Sequence, residues 1–84
     1  MMEKSIYTRE YGVLLKLLHE MREAAGMTQT ELAEKLGHSQ SFVTKFERGD
    51  RRLDIIQVRT ICQLMGTDLP TFVAELERRL PKPR

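Results

Sequence analysis

Residues 28–48, TQTELAEKLGHSQSFVTKFER, leave the chain little freedom of fold, because helix-start and helix-stop signals alternate there within twenty-one positions. Thr28 is a good N-cap, and Glu31 three residues later completes a T-x-x-E capping box. Leu32, Ala33 and Leu36 then fall on one face of the helix that follows. Gly37 stops that helix, since glycine enters the left-handed region without strain. Ser39 can cap a second helix, in which Val43 and Phe46 point one way while Gln40, Ser41, Thr44 and Lys45 point elsewhere. Phe42 is anomalous, an aromatic ring at an otherwise outward position.

Either side of this unit the pattern remains helical. A first helix is predicted over about Thr8 to Ala25, with Tyr11, Leu14, Leu18, Met21 and Ala25 recurring every three or four residues. Leu15 and Leu17 widen its apolar surface. They make either a broad core contact or, with Ile6, Tyr7 and Tyr11, a patch facing a partner. A fourth helix is predicted from Asp54, with Gln57 at the capping-box position, and ends before Gly66. Its inward stripe is Ile55, Val58, Ile61, Cys62 and Met65, with Ile56 and Leu64 off the stripe. A fifth begins at Asp68 or Leu69, carries Pro70 in its first turn, presents Leu69, Phe72, Val73, Leu76 and Leu80, and cannot pass Pro81. Five helices with short connections and no strand predict an all-α bundle.

With 84 residues the chain forms one domain with a modest core. Fourteen basic and twelve acidic residues leave only +2, so any attraction to polyanions depends on where the charges sit. From His38 to Leu53, Lys45, Arg48, Arg51 and Arg52 outnumber Glu47 and Asp50, and after Glu77 come Arg78, Arg79, Lys82 and Arg84 with no acid. The single cysteine, Cys62, excludes an internal disulfide, suits a reducing cytoplasm, and lies among apolar residues as a small core side chain. No apolar run is long enough to span a membrane, and the N-terminus lacks a secretory signal, so a cytoplasmic protein is expected. His19 and His38 lie far apart and Cys62 has no neighbour at metal-ligand spacing. No glycine-rich phosphate loop is present, and Ser39 and Ser41 lack a nearby base. No enzyme and no cofactor are expected.

From about Leu14 to Leu69 the sequence resembles the phage repressor and Cro-like, or XRE-type, helix-turn-helix family. The matching elements, in order, are Met21-Arg22, Gly26-Met27-Thr28-Gln29, Glu31-Leu32-Ala33, Leu36-Gly37, Ser39-Gln40-Ser41, Phe46-Glu47-Arg48-Gly49 and Arg51-Arg52. The resemblance implies a lambda-repressor-like five-helix bundle whose second and third helices form the helix-turn-helix at 28–48. It divides the chain into an N-terminal extension with the start of helix one (1–13), the helix-turn-helix DNA-binding domain (14–69) and a C-terminal helix with basic tail (70–84).

It also implies a function, sequence-specific binding of double-stranded DNA with helix three in the major groove. On that expectation Gln40, whose amide matches two adenine edge atoms, Ser41, Thr44 and Lys45 contact bases. Thr28, Gln29, Arg48, Arg51 and Arg52 contact phosphates, which set register rather than sequence preference. The resemblance further implies a buried ion pair, Arg22 with Glu47, joining helices one and three. Phe42 can stack on its own fold, touch a thymine methyl or form part of an interface.

A single module this small makes few base contacts, so a homodimer on a palindromic operator is expected, as a repressor more readily than an activator. Its dimer surface is sought in Phe72, Leu76 and Leu80 with Ile56 and Leu64, or in Ile6, Tyr7 and Tyr11. The alternative is a protein-binding module or antitoxin-like partner that keeps the fold, with a toxin or another regulator as its protein partner.

Overall fold

A computed structural model of the protein describes residues 8–81. The expectations placed on Ile6, Tyr7, Lys82 and Arg84 lie outside the described residues. Five helices follow in order, α1 (Arg9–Ala24), α2 (Gln29–Leu36), α3 (Gln40–Glu47), α4 (Ile55–Leu64) and α5 (Leu69–Arg79), and among the described residues there is no strand. The fold is the all-α helix-turn-helix bundle that the capping and glycine signals predict.

Each helix opens on a side-chain cap. Thr8, Thr28, Ser39, Asp54 and Asp68 each accept from the backbone N–H three residues on. Thr28–Glu31 and Asp54–Gln57 are complete capping boxes. The turn between α2 and α3 rests on Gly37, whose φ of 74° lies in the left-handed region. There Gly37 N–H donates to the Glu34 carbonyl at 3.1 Å and His38 N–H to the Ala33 carbonyl at 2.9 Å, the two bonds of a Schellman motif. The same pair of bonds closes α1, α3 and α4.

α2 packs chiefly on α3 and also meets α4, α1 lies against both α3 and α5, and α4 packs on α5. The most deeply buried large side chains, Leu18, Leu32, Val43, Phe46, Ile61 and Cys62, come from four different helices. Because α1 has neighbours on two sides, Leu15 and Leu17 are both core residues and offer no partner-facing patch. An exposed ion pair from Arg79 to Glu20 (2.9 Å) ties α5 to α1, a second from Arg79 to Glu75 (2.8 Å) lies within α5, and both add little stability.

Several inward assignments are corrected by the structure. Ile55 is 60% exposed, because the core position at that end of α4 is filled from outside the helix by Leu53. Leu53 and Val58 flank the Asp54 cap at the two positions of a hydrophobic staple, so the first turn itself faces solvent. Ala25 is exposed, lying just past the end of α1, and Val73 is half out of the core. Phe72 is buried and therefore unavailable to a dimer surface, while Leu76 packs partly against the core. Phe42, at an outward position by periodicity, is only 8% exposed, because its ring folds back onto its own helix.

Candidate nucleic-acid interface

α3 is attached by one face and presents the other. Val43 and Phe46 sit in the core against Leu32 and Ala33 of α2. On the opposite face Gln40, Ser41 and Lys45 are exposed, and among the described residues their side chains have no hydrogen-bond or ion-pair partner. A helix with one buried and one unengaged polar face has donors and acceptors to offer to a ligand. Thr28 stands at the start of α2, its hydroxyl oxygen occupied by the Glu31 N–H.

Behind this surface lies a continuous polar network centred on Glu47, whose side chain is only 7% exposed. Its carboxylate accepts from Arg22 Nε (2.7 Å) and Nη2 (3.2 Å) and from Gln29 Nε2 (3.0 Å). His19 Nδ1 lies 3.3 Å from the same carboxylate, and its Nε2 lies 3.2 Å from Glu23. Arg22 Nη1 donates to the Met27 carbonyl at 2.7 Å, and the Thr44 hydroxyl donates to Gln29 Oε1 at 2.7 Å. Burial alone would push the Glu47 carboxyl up. The hydrogen bonds from Arg22, Gln29 and His19 outweigh that and hold it below its ordinary value. Among the described residues no buried side-chain nitrogen or oxygen lacks a partner.

This network reaches two residues that the sequence places at the interface. Thr44 is half-buried, and its hydroxyl hydrogen is committed to Gln29. Gln29 bonds inward at both ends of its amide and keeps one N–H hydrogen for an outside acceptor. His19 and Met27 were not singled out as network members from the sequence. The signal for His19 is its spacing of three residues from Arg22 on one face of α1.

The arginines after α3 stand in three different settings. Arg48 donates from Nε (3.0 Å) and Nη2 (2.7 Å) to Asp50 Oδ2, both side chains being more than half exposed. The Arg51 guanidinium lies 5.0 Å above the Phe42 ring, and that of Arg52 lies 4.5 Å above the Tyr11 ring. The Tyr11 hydroxyl accepts from the Leu53 N–H at 3.2 Å, which fixes the segment carrying these arginines against α1. Phe42 stacks on His38 with ring centres 4.1 Å apart and planes 16° from parallel, and meets Phe46 edge-on at 5.6 Å. His38, Ser39, Ser41, Phe42, Lys45 and Arg51 together line a shallow hollow of about 280 Å³ at the start of α3. His38 is thus a candidate that sequence analysis missed, although its spacing of four from Phe42 could have signalled the stack.

Among the described residues no three His, Cys, Asp or Glu side chains are grouped to hold a metal ion. Cys62 is fully buried, and burial, with the nearby Asp68, pushes its thiol up to about 11, so it is an inert core side chain. Among the described residues no helix is long and apolar enough to cross a membrane.

A model of the helix-turn-helix family matches residues 18–72 of the chain. No curated protein sequence matches it. An XRE-family like protein from Pseudomonas syringae pv. tomato str. DC3000 is similar in structure, with a TM-score of 0.80 and 49% identity over 86% of this chain and 88% of that one. The clp gene regulator ClgR from Corynebacterium glutamicum shares the fold at a TM-score of 0.73 and 22% identity, over 84% of this chain and 76% of its own. So does the restriction-modification controller protein C.Esp1396I, solved as a tetramer in complex with its natural 35-base-pair operator, at a TM-score of 0.76 and 22% identity over 86% of this chain and 95% of that one. Family match, shared helices and 49% identity converge: the chain belongs to the XRE-type helix-turn-helix family.

Proposed function

We propose that this protein is a sequence-specific DNA-binding regulator of transcription that inserts α3 into the major groove, acting as a repressor more readily than as an activator. The observation that carries this is the outward face of α3, where Gln40, Ser41 and Lys45 are exposed and unengaged on a helix whose other face is locked into the core. Membership of the XRE-type family supports it, as does the operator complex of C.Esp1396I for a protein of the same fold.

In this scheme Gln40, Ser41, Thr44 and Lys45 meet base edges, with Gln40 in the first turn, which approaches the bases most closely. Thr28, the remaining amide hydrogen of Gln29, and Arg48, Arg51 and Arg52 meet phosphates on either side. Arg22 and Glu47 hold α3 at its angle. A homodimer supplies two reading helices about 34–36 Å apart on a palindromic site. Ile55 and Ile56, exposed and apolar, are available for subunit contact in place of buried Phe72. The partner-module alternative loses its two supports, since the extra apolar surface of α1 and Phe42 are both packed into the fold.

Selection of bound sequences from a random duplex library tests the proposal. A two-fold symmetric motif should emerge at moderate salt, and Gln40→Ala should flatten preference at one position of each half-site, costing about 1–3 kcal/mol. Enrichment of nothing would return the protein to the partner-module class.

A further inference from the structure

The arginines that follow the reading helix are not equivalent. Both nitrogens that Arg48 uses are spent on Asp50. Arg51, by contrast, donates to no carboxylate or carbonyl among the described residues, and the contact that fixes it is the face of Phe42, 5.0 Å from the guanidinium carbon. A guanidinium held by a ring spends none of its N–H donors on that contact, so those of Arg51 stay open to a ligand. The ring itself is packed on two sides: Phe42 is stacked on His38 and set edge-on to Phe46, which is 1% exposed. The stack therefore runs from the core, through Phe42, to a cationic group that shares a hollow with Ser39, Ser41 and Lys45.

We propose that Phe42, braced by His38, is a positioning residue that holds Arg51 in place as the principal phosphate anchor beside the reading helix. The inference rests on the DNA-binding function proposed above and adds to it a division of labour among the arginines. A free arginine loses rotamer freedom when it grips a phosphate, whereas one already laid on an aromatic platform has lost most of it before binding. A leucine at position 42 fills similar core space but has no ring quadrupole to hold the cation.

The test is a double-mutant cycle on the full chain, with binding measured to the duplex recovered by selection and to a scrambled duplex of equal length. Arg51→Ala should weaken both duplexes and lower the salt slope by about one for each bound copy. Phe42→Leu should weaken both alike, by about 2- to 5-fold for each bound copy, while its helical circular dichroism stays that of the wild type. In the Arg51→Ala background Phe42→Leu should cost nothing further. Equal losses in both backgrounds would mean that the ring acts only through packing of α3, and a loss confined to the selected duplex would mean that it touches a base; either overturns the inference. If Phe42→Leu does not fold, His38→Ala, which removes the brace from outside the core, enters the same cycle under the same criteria. An Arg51→Ala protein that binds like the wild type overturns the anchor alone. A wild type that binds neither duplex overturns the DNA-binding function itself.

Discussion

Arg22 Nε lies 2.7 Å from Glu47 Oε2, with both side chains less than a tenth exposed, so the last turn of α1 is bonded directly to the last residue of α3. Through Glu47 the connection continues to Gln29 and from there to Thr44. The outward helix is therefore held at two of its residues, Glu47 and Thr44, by one hydrogen-bonded chain that reaches α1 through Arg22 and α2 through Gln29. A helix that must match a groove gains from such fixing, since its tilt decides which side chains arrive at which base.

Removing one member of the pair strands the other in a nearly dry site. Arg22→Ala or Glu47→Ala should each cost about 3–5 kcal/mol of unfolding free energy. In a domain of this size that is a fall of more than about 10 °C in melting temperature. Replacing both together, Arg22→Met with Glu47→Leu, should cost less than either single change, because no charge is left unpaired. Urea denaturation of the four proteins gives the comparison directly. A double variant as unstable as the sum of the singles would show that the network, rather than charge pairing, sets the cost.

The same carboxylate gives the protein a predictable response to acid. Glu47 is held below its ordinary value of 4.5 in the folded state, so the unfolded chain binds its proton first. A group depressed in this way contributes its stability fully above 4.5 and loses it as pH falls through the folded value. Denaturation midpoints should thus show no pH dependence from Glu47 between neutral pH and about 5, and a decline below 4.5 that is shallower in Glu47→Gln. Equal acid slopes in the two proteins would remove Glu47 from the account.

The helices and their caps were legible because each rests on local chemistry: Thr28 with Glu31, Asp54 with Gln57, and Gly37 at a left-handed turn all act within four residues. Burial was less legible where a neighbour outside the helix decides it. Ile55 fits the inward stripe of α4, yet Leu53 takes the core position ahead of the cap. Phe42 fails the stripe of α3, yet finds a ring four residues away on either side, in His38 and Phe46. The candidate site divides the same way. The exposed Gln40, Ser41 and Lys45 follow from helical periodicity alone. The commitment of Gln29 and Thr44 to each other and of Arg48 to Asp50 depends on side-chain geometry that spacing does not carry.

Arg48 is held by a carboxylate that DNA would have to displace. The Arg48–Asp50 pair is exposed on both sides, so Asp50→Asn should alter folding stability by less than about 1 kcal/mol. Its effect on binding should be favourable, because it frees Arg48 and removes a negative charge facing the phosphates. Affinity for any duplex should rise about fivefold at low salt, from one screened unit-charge interaction of about 1 kcal/mol. The gain should shrink as the Debye length shortens from about 10 Å at 0.1 M salt. Fluorescence anisotropy titrations over a salt series, on selected and scrambled duplexes, measure both. An unchanged or weakened affinity would mean that Arg48 is oriented by Asp50 rather than withheld by it.

Thr44 combines a structural hydroxyl with a methyl group on the presented helix, and two substitutions separate them. Thr44→Val removes the donor to Gln29 Oε1 and leaves that half-buried amide oxygen without its partner. The expected cost is about 1 kcal/mol of stability, with some loosening of Gln29 from Glu47. Thr44→Ser keeps the donor and removes only the methyl, so stability should stay near that of the wild type. If the methyl meets a thymine, Thr44→Ser should lose preference at one base pair of the selected motif while binding scrambled duplexes as before. Thermal melts and a repeat of the library selection report the two effects independently. A Ser variant with both stability and selected motif unchanged would confine Thr44 to the network behind the interface and leave base reading to Gln40, Ser41 and Lys45.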